Sequence, residues 1–227
     1  MNKITESVIE NFTIELLEQL GYQYIYAPNI SHDSDNTERS NYEDVLFLGR
    51  LREAVNWINP KIPTDSQEEA IKEIQRLNSP ELISNNESFH RMLTEGIKVS
   101  YQKEGHQRGD LVWLIDFKNP ENNDFVVANQ FTVIENGNNK RPDVILFVNG
   151  IPLVVIELKN PTDENATIKS AFRQLQTYKE IIPSLFTYNG LMIISDGLEA
   201  QAGSLSAGKT RFMAWNMIRN VIIIWML

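Results

Sequence analysis

Arg141-Pro142-Asp143-Val144-Ile145-Leu146-Phe147-Val148-Asn149-Gly150-Ile151-Pro152-Leu153-Val154-Val155-Ile156-Glu157-Leu158-Lys159 holds two runs of Val, Ile and Leu on either side of Asn-Gly. Asn-Gly between apolar runs is the strongest short signal for a β-hairpin. Because the runs are almost continuously apolar, both faces of the hairpin must be covered by protein. Against that background Asp143, Glu157 and Lys159 stand out. A charge at the end of a buried strand is costly unless it is paired or coordinated, and Glu157 and Lys159, two apart, share a face.

Whether Asp143 joins them depends on parity. With a plain two-residue turn Val148 pairs with Ile151, so Asp143 lies opposite Ile156 and shares its face while Glu157 points the other way. If the loop instead spans Val148, Asn149 and Gly150, with Gly150 left-handed in a bulge, Asp143 falls opposite Val155 and the odd-numbered residues share one face. Convergence of the three charges therefore predicts the three-residue loop, or a bulge elsewhere in the hairpin with the same effect.

Outward from the hairpin, Val8, Ile9, Phe12, Leu16, Leu17 and Leu20 recur at helical spacing, with Thr5 placed to cap the helix and Gly21 to end it. Ser31 to Asn36 is polar and predicts a loop. Ser40 and Glu43 have capping-box spacing for a helix to about Trp57, ahead of Pro60 and Pro63. A further helix follows Asp65, with Ala70, Ile71, Ile74 and Leu77 on one face, and another spans Glu87 to Leu93. After Gly96 the period becomes two, predicting strands at Ile97 to Tyr101, Leu111 to Phe117, Phe125 to Glu135, Asp143 to Val148, Leu153 to Leu158 and Leu191 to Ser195, with a helix from about Asn165 to Ile182. Helices before and after a strand run predict an α/β chain, a mixed sheet flanked by helices. The tail Val221 to Leu227 is apolar throughout and reads as truncated or foreign to the domain.

The 227 residues, 42% hydrophobic and 22% charged, have the balance of one large folded domain, or of one domain with a helical appendage. Cysteine is absent, which excludes thiol catalysis, disulfides and cysteine-built zinc sites. His32, His90 and His106 have no metal-ligand spacing. Met1 to Glu6 has no signal pattern, and no apolar run reaches roughly 18 residues, so a cytoplasmic setting without a membrane is expected. The net charge of −9 argues against an autonomous, non-specific grip on a polyanion.

Pro142-Asp143 followed by Glu157-x-Lys159 matches the motif of the PD-(D/E)xK nuclease superfamily. Gln174 and Tyr178, four apart on one helix face, resemble the Gln-x-x-x-Tyr element of RecB-like nucleases and of type I restriction subunits. Glu10 ahead of Leu16, Leu17, Leu20 and Gly21-Tyr22 is similar to the start of those subunits, where a helical glutamate completes the acidic cluster; Glu6 and Glu15 compete for that role. Gly190 to Asp196 and Arg211 to Trp215 resemble later strands of the same domain.

The resemblance implies the N-terminal endonuclease domain of a type I restriction enzyme's motor subunit, over residues 1 to 216 with a helical insertion at about 37 to 95. It implies Mg²⁺, or Mn²⁺, on Asp143, Glu157 and Glu10, with Lys159, Gln174 and Tyr178 completing the catalytic set. The implied partners are double-stranded DNA, modification and specificity subunits, and downstream helicase domains that use ATP in the full-length subunit. Arg141 and Lys179 are candidates for phosphate contacts. A free-standing RecB-like nuclease of repair or defence would carry the same site.

Gly203-Ser204-Leu205-Ser206-Ala207-Gly208-Lys209-Thr210 fits the phosphate-loop pattern letter for letter and would make the chain a nucleotide-binding protein. It lacks a strand directly before it, a helix after it and an acidic strand beyond. A glycine-rich hairpin turn is the expectation there.

Overall fold

In the computed structural model, residues 5–160 and 167–215 are described. The first residues of the helix expected from about 165, and all of the apolar tail 221–227, lie outside this range.

The fold is α/β. In chain order the elements are α1 (Glu6–Gln19), β1 (Gln23–Tyr26), α2 (Leu48–Ile58), α3 (Thr64–Gln75), α4 (Leu82–Glu95), β2 (Ile97–Lys103), β3 (His106–Val112), β4 (Phe125–Asn129), β5 (Val133–Glu135), β6 (Asn138–Lys140), β7 (Val144–Val148), β8 (Ile151–Leu158), α5 (Ile168–Ile181), α6 (Pro183–Thr187), β9 (Leu191–Ser195), β10 (Ala200–Gly203) and β11 (Met213–Ala214). Seven strands form one sheet in the order β1-β4-β7-β8-β9-β10-β11. The sheet is mixed, since β1 runs parallel to β4 and β8 parallel to β9 while the other neighbours are antiparallel. Every residue of β7 and β8 is buried, as their unbroken apolar sequence demands. Helix α1 packs against β1, β4 and β8, and α5 against β8 and β9, so two helices border the central strands. Two small ribbons, β2-β3 and β5-β6, stand outside the sheet.

The hairpin resolves the parity question in the second of its two forms. Val148 pairs with Ile151 across a two-residue turn in which Asn149 (φ 52°) and Gly150 (φ 78°) are both left-handed, as a type I′ turn requires. The register then shifts: Phe147 pairs with Pro152 but Leu146 with Val154, so Leu153 is an extra residue in β8. Beyond the bulge Val144 faces Ile156, and one further step sets Asp143 opposite Glu157. The turn itself is buried. Asn149 has no exposed surface; its amide nitrogen donates to the Leu114 carbonyl and to Asn123 Oδ1, both at 2.8 Å, and its side-chain oxygen accepts from Asp124 N–H at 2.7 Å.

Gly150 is fixed by two independent constraints. Its φ is left-handed, and a Cβ there would overlap the carbonyl oxygen of Phe47, whose N–H donates to Gly150 O at 2.9 Å. Replacement by alanine adds left-handed strain of about 1–2 kcal/mol and a backbone clash of similar size. We expect Gly150→Ala to destabilise the domain by about 3 kcal/mol, lowering the melting temperature by roughly 6–12 °C; an unchanged thermal melt would contradict this packing.

Three expectations are corrected. The helix expected from Ser40 begins only at Leu48, because residues 40–47 turn on side chains instead. Asp44 accepts from the N–H groups of Ser40 and Asn41, and Asn41 Oδ1 accepts from those of Glu43 and Asp44. Those contacts use the donors that a capping box would have needed. The strand expected at Leu111 to Phe117 is instead the end of β3 followed by irregular chain, since Asn59 binds both N–H and C=O of Trp113 and replaces a neighbouring strand. Finally, β1 lies in a segment with no predicted element; its pairing with β4 is remote in sequence.

Candidate active site

The bulge at Leu153 and the Pro142-Asp143 entry to β7 bring the charged ends of the hairpin together. Asp143 is half-buried, and its Oδ2 accepts the Leu158 N–H at 2.6 Å. Burial pushes its carboxyl up to about 6; that N–H and Lys159 pull it down, while Glu6 and Glu10 push it further up. Glu157 lies in the middle of the sheet with no exposed surface. Its Oε1 meets Lys159 Nζ at 2.7 Å, and its Oε2 is buried with no hydrogen-bond partner among the described residues. Burial first, then the charge of Asp143, pushes Glu157 up to about 8 against the opposing pull of Lys159.

Lys159 is held by its backbone, which donates to Ser195 O at 2.8 Å and so extends the β8-β9 ladder by one step. Its ammonium also donates to Leu158 O at 2.8 Å and lies 3.5 Å from Glu6 Oε1. Burial disfavours the ammonium, but Glu157, Asp143 and Glu6 more than offset it, and the pKa lies above the ordinary lysine value.

Glu6 is the third carboxylate of this group. Oxygens of Glu6, Asp143 and Glu157 lie within 4.8 Å of one another, the only such group of three metal-ligating side chains among the described residues. Glu10 is buried one turn further along α1, where it accepts from Asn129 Nδ2 at 2.6 Å and Gln130 Nε2 at 3.2 Å, outside the group of three. Glu15 is exposed. Asn129 and Gln130 were not among the residues singled out by sequence; a polar pair ending the apolar run Val126-Val127-Ala128 is the signal that marks them.

On α5, Gln174 Nε2 donates to the Tyr178 hydroxyl at 2.6 Å. Tyr178 is buried, and burial together with the charge of Glu157 raises its phenol, so it stays protonated. Tyr178 is thus within electrostatic reach of Glu157, Asp143 and Glu6, the same carboxylates that surround the Lys159 ammonium.

The remaining candidates make other contacts or face solvent. Lys179 donates to Leu205 O at 2.9 Å, and burial lowers its pKa, so its nitrogen is engaged within the fold; Arg141 is exposed. His90 Nε2 bonds Asn189 O, His32 packs edge-on against Tyr42, and His106 is exposed. The phosphate-loop pattern spans the connection between antiparallel β10 and β11, and its last two residues open a single 3₁₀ turn, Lys209–Arg211. Lys209 Nζ binds Gln201 Oε1. Gly203 is needed for contact with Phe212, whose ring would lie 2.5 Å from a Cβ there, so the glycine serves packing.

A sequence profile of the family described as "Type I restriction enzyme R protein N terminus" matches residues 3–211. The chain is 39% identical over 216 residues to the type I restriction enzyme HindI endonuclease subunit of Haemophilus influenzae, covering 95% of this chain and 20% of that protein. It is 34% identical to the putative type I restriction enzyme MjaIXP endonuclease subunit of Methanocaldococcus jannaschii, over 94% of this chain and 20% of the relative. It is 30% identical to a type I restriction enzyme endonuclease subunit of Staphylococcus aureus, over 87% of this chain and 19% of the relative. The chain thus spans about a fifth of the length of these relatives. With the profile covering nearly all of its length and three relatives at this level of identity, the chain belongs to the family of type I restriction enzyme R protein N termini.

Proposed function

We propose that this chain is the nuclease domain of a type I restriction subunit and hydrolyses phosphodiester bonds of double-stranded DNA with Mg²⁺, or Mn²⁺ in its place. The observation that carries the proposal is the meeting of Glu6, Asp143 and Glu157 beside Lys159, with one buried carboxylate oxygen of Glu157 left without a hydrogen bond among the described residues. An unsatisfied buried acceptor is destabilising by about 1–3 kcal/mol, more when charged. A hard divalent cation that prefers oxygen ligands satisfies it, and the all-carboxylate donor set fits Mg²⁺.

In this proposal Asp143 and Glu157 hold the cation, with Glu6 beside them. When bound, such an ion polarises a phosphoryl oxygen and makes its water a stronger nucleophile. Lys159, kept as an ammonium by the carboxylates around it, orients the attacking water and offsets negative charge growing on the phosphate. Gln174 fixes the Tyr178 hydroxyl beside Glu157, where the pair positions the substrate phosphate.

The net charge of −9 fits a domain that leaves most of the grip on DNA to other parts of a larger assembly. We assign those parts to helicase domains using ATP in the rest of the subunit and to modification and specificity subunits, acting in the cytoplasm. No helix among the described residues is long and apolar enough to cross a membrane. On its own the chain is expected to cut weakly and without sequence preference. Nicking of supercoiled plasmid tests this: Mg²⁺-dependent nicking is expected for the wild-type chain, and Lys159→Ala is expected to slow it by about 10²–10³-fold. Nicking undiminished in Lys159→Ala would overturn the assignment.

A further inference from the structure

Glu10 is a buried carboxylate that the group of three does not include, and its surroundings are unusual. Its two donors, Asn129 and Gln130, are adjacent residues. Successive residues of a strand point to opposite sides, so two neighbours can reach one carboxylate only where that alternation is broken. The break is at Gln130, immediately past the end of β4, where φ is 56°. A left-handed backbone is uncommon for a non-glycine residue and carries strain of about 1 kcal/mol or more, which persists only where the surroundings enforce it.

The amide of Asn129 is fixed from both ends. A carboxylate only accepts hydrogen bonds, so Nδ2 must face Glu10, at 2.6 Å, and Oδ1 faces the Tyr24 hydroxyl, which donates at 3.0 Å. Tyr24 lies on β1, the strand beside β4, so the edge of the sheet contributes to the arrangement. Gln130 adds a second contact, 3.2 Å to Oε1 and 3.5 Å to Oε2. Glu10 in turn lies one helical turn from Glu6, and Asn129, which holds it, pairs in register with Val144, the neighbour of Asp143 in the chain.

We propose that Asn129 and Gln130 are positioning residues which hold Glu10 as a fixed negative charge beside the Glu6-Asp143-Glu157 group, and that this charge sets the affinity of that group for its divalent cation. The left-handed backbone at Gln130 is the device that turns both amides toward one carboxylate. Glu10 acts from outside the ligand set. The proposal rests on the metal-dependent reading above, but assigns a role to residues that the reaction itself does not require.

Calorimetric titration of Mn²⁺ into the full chain tests it, with Asn129→Ala, Gln130→Gly, Glu10→Gln and the double variant Glu10→Gln/Asn129→Ala. Asn129→Ala is expected to weaken Mn²⁺ binding by about 10–100-fold, the range usual for residues that support metal ligands. Gln130→Gly relieves the backbone and removes one donor, so it should weaken binding while the metal-free protein melts no lower than wild type. That variant keeps the test open should Asn129→Ala not fold. In the Glu10→Gln background Asn129→Ala should cause no further loss, because both act through the same carboxylate. Saturating metal should restore nicking by Gln130→Gly to near the wild-type rate. Wild-type affinity in both Asn129→Ala and Gln130→Gly, or an undiminished effect of Asn129→Ala without Glu10, would overturn the proposal while leaving the metal reading intact. Absence of any Mn²⁺ binding by the wild-type chain would overturn both.

Discussion

Glu157→Gln is expected to stabilise the metal-free domain while it removes cation binding and cleavage. Glu157 has no exposed surface, faces Asp143 across the hairpin, and is pushed up to about 8 by burial and by that neighbour. A carboxyl whose folded pKa lies above its unfolded value of 4.5 binds more protons in the folded state. Stability then falls as pH rises between the two values, and the full penalty is present above the folded one. Asp143, raised from 3.8 to about 6, acts in the same direction. The metal-free wild type should therefore lose stability progressively from about pH 4 to about pH 8. Glutamine removes the charge at nearly constant volume; the Lys159 ammonium loses a partner, which takes back part of the gain. The net gain at pH 8 is expected to be about 2 kcal/mol, roughly 4–8 °C in melting temperature, and near zero at pH 4. Thermal melts in chelator at the two pH values check this; a variant less stable than wild type at pH 8 would contradict the electrostatic account. The same variant should nick DNA at least about 10³-fold more slowly, the usual trade of stability against function in a site built from unfavourable charges.

Asp143→Ala should have an equally large functional effect for a different reason. Asp143 reaches the group of three only because the bulge at Leu153 sets it opposite Glu157, and its Oδ2 is tied to the Leu158 N–H. Removing it takes away one of the two best-held oxygens and leaves Glu157 a weaker site. Divalent-cation affinity is expected to fall at least about 100-fold and nicking at least about 10³-fold, while the metal-free protein stays folded because one of two neighbouring like charges has been removed. Since bound metal displaces protons from Asp143 and Glu157, the wild-type affinity should also rise with pH across about 6 to 8.

The hairpin and its charges were legible because the signals are local. Asn149-Gly150 marks the turn, and unbroken Val, Ile and Leu marks burial on both faces. Parity could be argued as a requirement, but the bulge was placed by packing: the two-residue turn is locked by Asn149 and by Gly150 against Phe47, which moves the extra residue to Leu153. Strand β1 was illegible because its partner β4 is about a hundred residues away. Residues 40–47 carried a helical signal that side-chain turns at Asn41 and Asp44 overrode. The choice between Glu6 and Glu10 could not be made from spacing, since residues four apart share one helix face and only the docking of α1 decides which one reaches the ends of β7 and β8. Asn129 and Gln130 were missed for a related reason. The polar pair closing an apolar run marks the end of a strand, but a left-handed glutamine has no signature in sequence, and without it the two amides would point apart.

Calorimetric titration of Mn²⁺ at pH 8 into the wild-type chain and into Asp143→Ala, side by side, tests the central claim most directly, because it reads the acidic group without requiring DNA, ATP or any partner. The geometry of Glu6, Asp143 and Glu157 predicts saturable binding by the wild type and at least about 100-fold weaker binding by the variant. Equal affinity in the two proteins would contradict the claim that these carboxylates form the metal site of a nuclease.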